Sequence, residues 1–191
     1  VDDDPAVLRS LAELLRVLFP RVETFASAAE FLAAYDPKRP GCLVLDIAMP
    51  GMSGLDLQRK LIEDKIDLPV VFITGQGSVQ MAVGAMQAGA VNFLEKPFHE
   101  QELSDSITAA LEIDARNRSR KARRQKLRDR LSHLNEGEHA VLDLILDGKL
   151  NKEIAETLGI SVRTVEDRRS RLMKKMGAKS VAELVRLATM Q

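Results

Sequence analysis

Four short runs of apolar and β-branched residues, separated by stretches of helical periodicity, limit the first part of this chain more than any other feature. Residues 21–25, 42–46, 69–74 and 91–94 read as strands. Three of these runs are nearly continuously apolar, the pattern of parallel strands covered on both faces. The stretches between them carry helix start signals. Asp4-Pro5 offers an N-cap followed by proline in the first turn, Ser27-Ala28-Ala29-Glu30 spells a capping box, and Ser78 precedes an amphipathic run.

Strand–helix alternation of this kind predicts an α/β doubly wound parallel sheet, a flavodoxin-like (βα)5 fold with strand order 2-1-3-4-5. The opening Val1-Asp2-Asp3 stands where a first, central strand should be ending, so a few apolar residues are expected to precede Val1. Charge divides the chain in two. Residues 1–112 hold 9 Lys and Arg against 17 Asp and Glu, whereas residues 113–191 hold 19 against 11. A net −8 followed by a net +8 predicts two domains with different partners, the basic half being suited to nucleic acid. Residues 116–130 contain nine basic side chains and few apolar ones, which reads as a solvated, helical or partly mobile basic linker over 113–130.

A compact all-α unit follows over 131–191. Residues 135–147 form a helix with Val141, Leu142, Ile145 and Leu146 on its apolar face. Then come a helix over 151–158, the turn Gly159-Ile160-Ser161, a helix over 162–176, and a last helix over 180–190 opened by a second capping box at Ser180. Two helices joined by a short glycine-containing turn make a helix-turn-helix. Cys42 is the only cysteine and sits in an apolar run, which excludes an intrachain disulfide and fits a core thiol in a reducing cytoplasm. There is no apolar run of membrane-spanning length and no signal-peptide pattern at the start.

Ligands of a parallel sheet bind at the carboxyl ends of its strands. The predicted order puts Asp2 and Asp3 after the first strand, Asp46 at the end of the third, Thr74 at the end of the fourth and Lys96 after the fifth, all at one edge. Crowded carboxylates need a cation, and hard oxygen donors suit Mg²⁺. Asp46 can then act as nucleophile on an activated phosphoryl group, with Lys96 and the Thr74 hydroxyl answering the phosphoryl oxygens.

The segments VDDDP, LVLDIAMPGMSGLDL, VFITG and AVNFLEKPF resemble the receiver domains of NarL/FixJ-class response regulators, throughout residues 1–112. The resemblance implies that Asp46 is the phosphorylated aspartate. It makes Asp2 and Asp3 the acidic pair, Asp3 being the direct metal ligand, and gives the Ala48 carbonyl as a further ligand. It also implies that Thr74 and Phe93 form a switch pair, that Lys96 contacts the phosphoryl group, and that the Lys96-Pro97 bond is cis. Ordinary core packing is the other reading of Phe93. Met81 and Met86 read as helix-face residues, His99 as exposed, and His133 and His139 lack partners at zinc spacing.

Residues 131–191 resemble the LuxR-type helix-turn-helix, best over NKEIAETLGISVRTVEDRRSRLMKKMGAKSVAELVRL. The recognition helix begins after Ser161 and turns Arg163, Glu166, Asp167, Ser170 and Lys174 outward, with Arg168 and Arg171 on adjoining surfaces. Val162, Val165, Leu172 and Met176 pack inward, Val165 near the groove-facing edge. Phosphate contacts fall to Asn151, Lys152, Arg168, Lys175 and Lys179. Two departures stand out. Family members commonly carry Thr-x-Arg-Glu where this chain has Asn135-Glu136-Gly137-Glu138, and commonly a histidine where Arg168 stands.

These readings imply a transcription factor rather than an enzyme. A sensor histidine kinase phosphorylates Asp46, and a homodimer then forms through the helix over 78–88 and the strand over 91–94 and binds double-stranded promoter DNA. The first helix with the fifth is the competing dimer surface. Two other functions compete: a Mg²⁺-dependent phosphohydrolase with an aspartate nucleophile, although Ala48 stands where such enzymes want a second aspartate, and a phosphorylation-independent pseudo-receiver.

Overall fold

The computed structural model describes residues 1–75 and 78–189. Its elements run α1 (Pro5–Leu18), α2 (Ala28–Ala34), β1 (Leu43–Asp46), α3 (Gly54–Glu63), β2 (Val70–Thr74), α4 (Val79–Gln87), β3 (Asn92–Glu95), α5 (Glu100–Ser132), α6 (Glu136–Leu146), α7 (Asn151–Leu158), α8 (Val162–Met176) and α9 (Val181–Ala188). The chain divides into two compact units, Val1–Arg118 and Ser119–Gln191, and the division falls inside α5.

In the first unit β1, β2 and β3 form a parallel sheet in that order. Alternate residues of the strands feed two cores, as the twofold period of a strand requires. Leu43, Leu45, Val70 and Phe72 pack with Ala28, Phe31, Leu57, Leu61 and Ala85 of α2, α3 and α4. Val71, Ile73 and Leu94 pack with Leu15 of α1 and with Leu103, Ile107 and Ala110 of α5. Both faces are thus covered, which is why these strands read as continuous apolar runs. Cys42 joins the second of these cores. Burial pushes its thiol up to about 12, the Asp114 charge adding to the effect, so the thiol stays protonated and inert.

The predicted strand over 21–25 is not a regular strand. The hydrogen bonds nevertheless keep the expected order. The Val1 nitrogen donates to the Val44 carbonyl at 2.6 Å, the Asp46 N–H donates to the Val1 carbonyl at 2.9 Å, and the Asp2 N–H donates to the Phe25 carbonyl at 3.2 Å. Val1 and Asp2 therefore lie between the 21–25 segment and β1, giving the 2-1-3-4-5 arrangement of a flavodoxin-like fold. The predicted capping boxes are half formed. Ser27 and Ser180 cap their helices, but the carboxylates of Glu30 and Glu183 reach one residue further, to the N–H groups of Ala26 and Lys179. Complete boxes close instead at Ser53–Asp56 and Asn135–Glu138.

The second unit packs α6 to α9, with Leu127 of α5, around Val141, Leu142, Ile145, Ile154, Leu172, Met176 and Leu184. Two expectations need correction. Leu146 is exposed, because α6 ends there and the residue falls beyond the buried stripe, and Val162 is exposed in the first turn of α8; Val165 packs inward as expected and is fully buried. The last helix ends at Ala188, and Met190 lies outside the described residues.

Gly54 is the tightest point of the first unit. A Cβ there would stand 2.2 Å from the Asp46 carbonyl oxygen, so α3 can begin directly against the end of β1 only because no side chain intervenes. Gly54→Ala is expected to lower the stability of the full chain by roughly 1–3 kcal/mol, the range for overpacking a tight contact. Urea unfolding followed by circular dichroism measures it, and an unchanged midpoint would mean that α3 withdraws from β1 at no cost.

Candidate functional site

Asp46, the last residue of β1, and Asp2, two residues into the chain, are both buried at the carboxyl end of the sheet. The ammonium of Lys96, carried just past β3, bridges them: Nζ donates to Asp2 Oδ2 and to Asp46 Oδ1, each at 2.8 Å. The remaining oxygens are also occupied. Asp46 Oδ2 accepts the Ala48 N–H at 2.7 Å, and Asp2 Oδ1 accepts the Asp4 N–H at 2.9 Å. Burial acts most strongly on the Lys96 ammonium and pulls its pKa down, yet the hydrogen bonds and charges of Asp2 and Asp46 together hold it above the usual lysine value.

Thr74 is fully buried at the end of β2, and its carbonyl accepts the Lys96 N–H at 2.7 Å. The Lys96-Pro97 bond is cis. Phe93 is half-buried, its ring 6.4 Å from that of Phe72. The expected crowding of three carboxylates is not present: Asp3 is exposed, and among the described residues no three His, Cys, Asp or Glu side chains group closely enough to hold a metal ion. Lys96 supplies the positive charge that the Asp2–Asp46 pair requires. The donors at this edge are all oxygen, without cysteine or histidine, and a cation already bridges two of them. That chemistry fits a hard divalent ion.

In the second unit, Arg163, Glu166, Asp167, Ser170, Arg171 and Lys174 are exposed on α8, as are Lys152 on α7 and Lys179 after α8. Two predicted phosphate contacts are engaged within the protein. The Asn151 Oδ1 accepts Arg169 Nη1 at 2.6 Å, tying α7 to α8. The Lys175 ammonium donates to Glu138 Oε2 at 2.6 Å and to the His133 carbonyl at 3.1 Å. Glu138 is fully buried, and its Oε2 also accepts the Asn135 N–H at 2.9 Å. The Lys175 hydrogen bond, with the Asn135 N–H assisting, holds the Glu138 carboxyl below the usual glutamate range.

Comparison with known proteins agrees with both halves. Residues 1–108 match the response regulator receiver domain, and residues 132–188 match the bacterial regulatory proteins of the luxR family. The chain is 44% identical to the response regulator protein TodT of Pseudomonas putida, over 98% of this chain and 82% of TodT. It is also 44% identical to the transcriptional regulatory protein FixJ of Rhizobium meliloti, over 98% of this chain and 92% of FixJ. Among solved structures, the response regulator StyR matches with a TM-score of 0.92 and 43% identity, over 100% of this chain and 96% of that one. This chain belongs to the NarL/FixJ class of response regulators.

As a response regulator it is a transcription factor with a receiver domain and a LuxR-type DNA-binding domain, and its family is not an enzyme class. Among the described residues no helix of the regulator is long and apolar enough to cross a membrane. Sequence reasoning missed three of the residues that build its sites. Gly54 carries no local mark of the contact that it makes. Arg169 and Glu138 were charged residues on helices, and nothing local marks a charged residue as one that pairs across 18 or 37 positions.

The Glu138–Lys175 pair makes stability depend on pH. A carboxyl held below its ordinary value stabilises the folded state above the unfolded pKa of about 4.3, and that contribution is lost as pH falls through the lowered value. Lys175→Met is therefore expected to destabilise the regulator at neutral pH, with the gap to wild type narrowing in acid. Thermal melts at neutral and acidic pH check this; a constant gap would mean that Lys175 acts by packing alone.

Proposed function

We propose that this regulator is phosphorylated on Asp46 by a partner sensor histidine kinase and, as a homodimer, binds double-stranded promoter DNA through its helix-turn-helix. Residues 1–112 receive the phosphoryl group, 113–130 link, and 131–191 bind DNA; the protein works in the cytoplasm, where its promoters are. The observation that carries this reading is the buried Asp46 carboxylate at the carboxyl end of a parallel sheet, joined to Asp2 by the Lys96 ammonium.

In the reaction, an Asp46 oxygen attacks the phosphorus of a phosphohistidine. The new O–P bond forms as the N–P bond breaks, and the leaving imidazole keeps the electron pair and takes up a proton. Lys96, hydrogen-bonded to Asp46 in the resting arrangement, turns to the phosphoryl oxygens, and the Thr74 hydroxyl donates to them. Asp3 and Asp46, with the Ala48 carbonyl and Asp2 beside them, would hold Mg²⁺, which when bound offsets the negative charge developing on the phosphoryl oxygens. As Thr74 moves inward, the Phe93 ring follows into the space it leaves.

That movement reaches α4 and β3. Val79, Val83 and Met86 of α4 are 81%, 48% and 45% exposed, which supports an interface over core packing for these apolar side chains. A twofold pair formed there would present two DNA-binding units to successive half-sites. On the DNA side, Arg163, Glu166, Asp167, Ser170, Arg171 and Lys174 face base edges, while Lys152, Arg168 and Lys179 answer phosphates with Asn151 beside them. Lys175 leaves the phosphate set for its pair with Glu138.

With acetyl phosphate and Mg²⁺, wild type is expected to take up one phosphoryl group by intact mass, and Asp46→Asn none, because only the carboxylate is nucleophilic. Equal uptake by Asp46→Asn would overturn the site. In sedimentation, phosphorylated wild type is expected to dimerise and phosphorylated Val83→Asp to remain monomeric. Dimerisation of that variant would move the interface away from α4.

A further inference from the structure

Gly137 in the first turn of α6 and Arg168 in α8 meet in space. A Cβ built at position 137 would stand 2.8 Å from Cζ, 2.8 Å from Nη1 and 3.1 Å from Nε of Arg168. Near-equal distances to three atoms of one plane put that point over the face of the guanidinium, not at its rim. The guanidinium therefore lies flat against the bare α-carbon of the glycine. Gly137 does not have a positive φ, so its backbone conformation does not call for glycine, and glycine costs helix stability relative to alanine. Close approach by Arg168 is the feature that position 137 accommodates.

Arg168 is half-buried and, among the described residues, makes no hydrogen bond or ion pair. The polar residues next to this pair in sequence are committed elsewhere: Glu138 bonds to Lys175 and the Asn135 N–H, and Arg169 bonds to Asn151. A partly desolvated, unpaired guanidinium is unfavourable unless an anion answers it. Its five N–H donors lie in the plane, so packing by the face leaves the edge available for two parallel bonds to one phosphate.

Resting on the DNA-binding reading above, we propose that Gly137 is a positioning residue, a flat platform that fixes Arg168 in advance as a clamp for one DNA phosphate. A side chain held before binding loses less rotamer freedom when it binds. A methyl group at 137 would lift the guanidinium off its platform. Because the crowded atoms are the far end of a flexible side chain, the arginine moves and the fold does not.

The test uses the full chain phosphorylated with acetyl phosphate and Mg²⁺, and a fluorescein-labelled random-sequence DNA duplex, with anisotropy titrations across a range of KCl concentrations. Arg168→Ala is expected to weaken binding by roughly tenfold, as for loss of a charged hydrogen bond. It should also lower the slope of log affinity against log salt by about 0.9 per subunit, the value for one phosphate. Gly137→Ala is expected to reproduce both losses in part or in full, without a lower melting midpoint. The double variant is expected to match Arg168→Ala alone. A Gly137→Ala protein that binds like wild type, or losses that multiply in the double variant, would overturn the platform role. A lower midpoint for Gly137→Ala with an unchanged salt slope would assign the glycine to folding and overturn it too. Absence of binding by wild type would defeat the DNA reading itself, and this inference with it.

Discussion

The first unit depends on one ammonium group. Asp2 and Asp46 are buried side by side, and two carboxylates so placed repel each other strongly where water is excluded. Lys96 resolves the conflict with one hydrogen bond of 2.8 Å to each, and its own N–H fixes it to the end of β2 through the Thr74 carbonyl. Lys96 thereby joins the ends of β1 and β2 to the segment that carries Asp2. A group that arrives with more negative charge at Asp46 must draw on that same ammonium.

The rest of the unit keeps that edge rigid. The sheet is covered by α2, α3 and α4 on one face and by α1 and α5 on the other, so its strands cannot shift without opening a core. Gly54 brings α3 hard against the Asp46 backbone. By contrast, α4 buries only Ala85 and leaves Val79, Val83 and Met86 exposed. Among the elements next to the site, it is the one with least packing to lose by moving.

In the second unit two basic residues that look alike in sequence take opposite parts. Lys175 turns to a buried carboxylate and joins α6 to α8, whereas Arg168 lies on a glycine and has no partner among the described residues. Only the first is compensated by a charge within the protein. Two departures from the family pattern, a missing arginine side chain at 137 and an added charge at 168, look like separate weaknesses in the sequence and form one contact in the fold.

Much of this was legible in the sequence, for physical reasons. Strand and helix periods are local, so three strands and the bounds of α7 and α8 follow from residues near them. Strand ends follow from the strands, and the edge where Asp2, Asp46, Thr74 and Lys96 gather follows from the handed, parallel connection of a doubly wound sheet. What needed the tertiary structure was anything set by a partner distant in sequence. The 21–25 segment has strand composition yet forms no regular strand, and Asp3, next to a buried aspartate, is exposed. Whether a charge is a surface feature or a tie, as at Glu138, Lys175 and Arg169, depends on which polar group another helix brings to it. Composition and period describe a residue's own segment, and ion pairs, tight glycine contacts and desolvation belong to the space between segments.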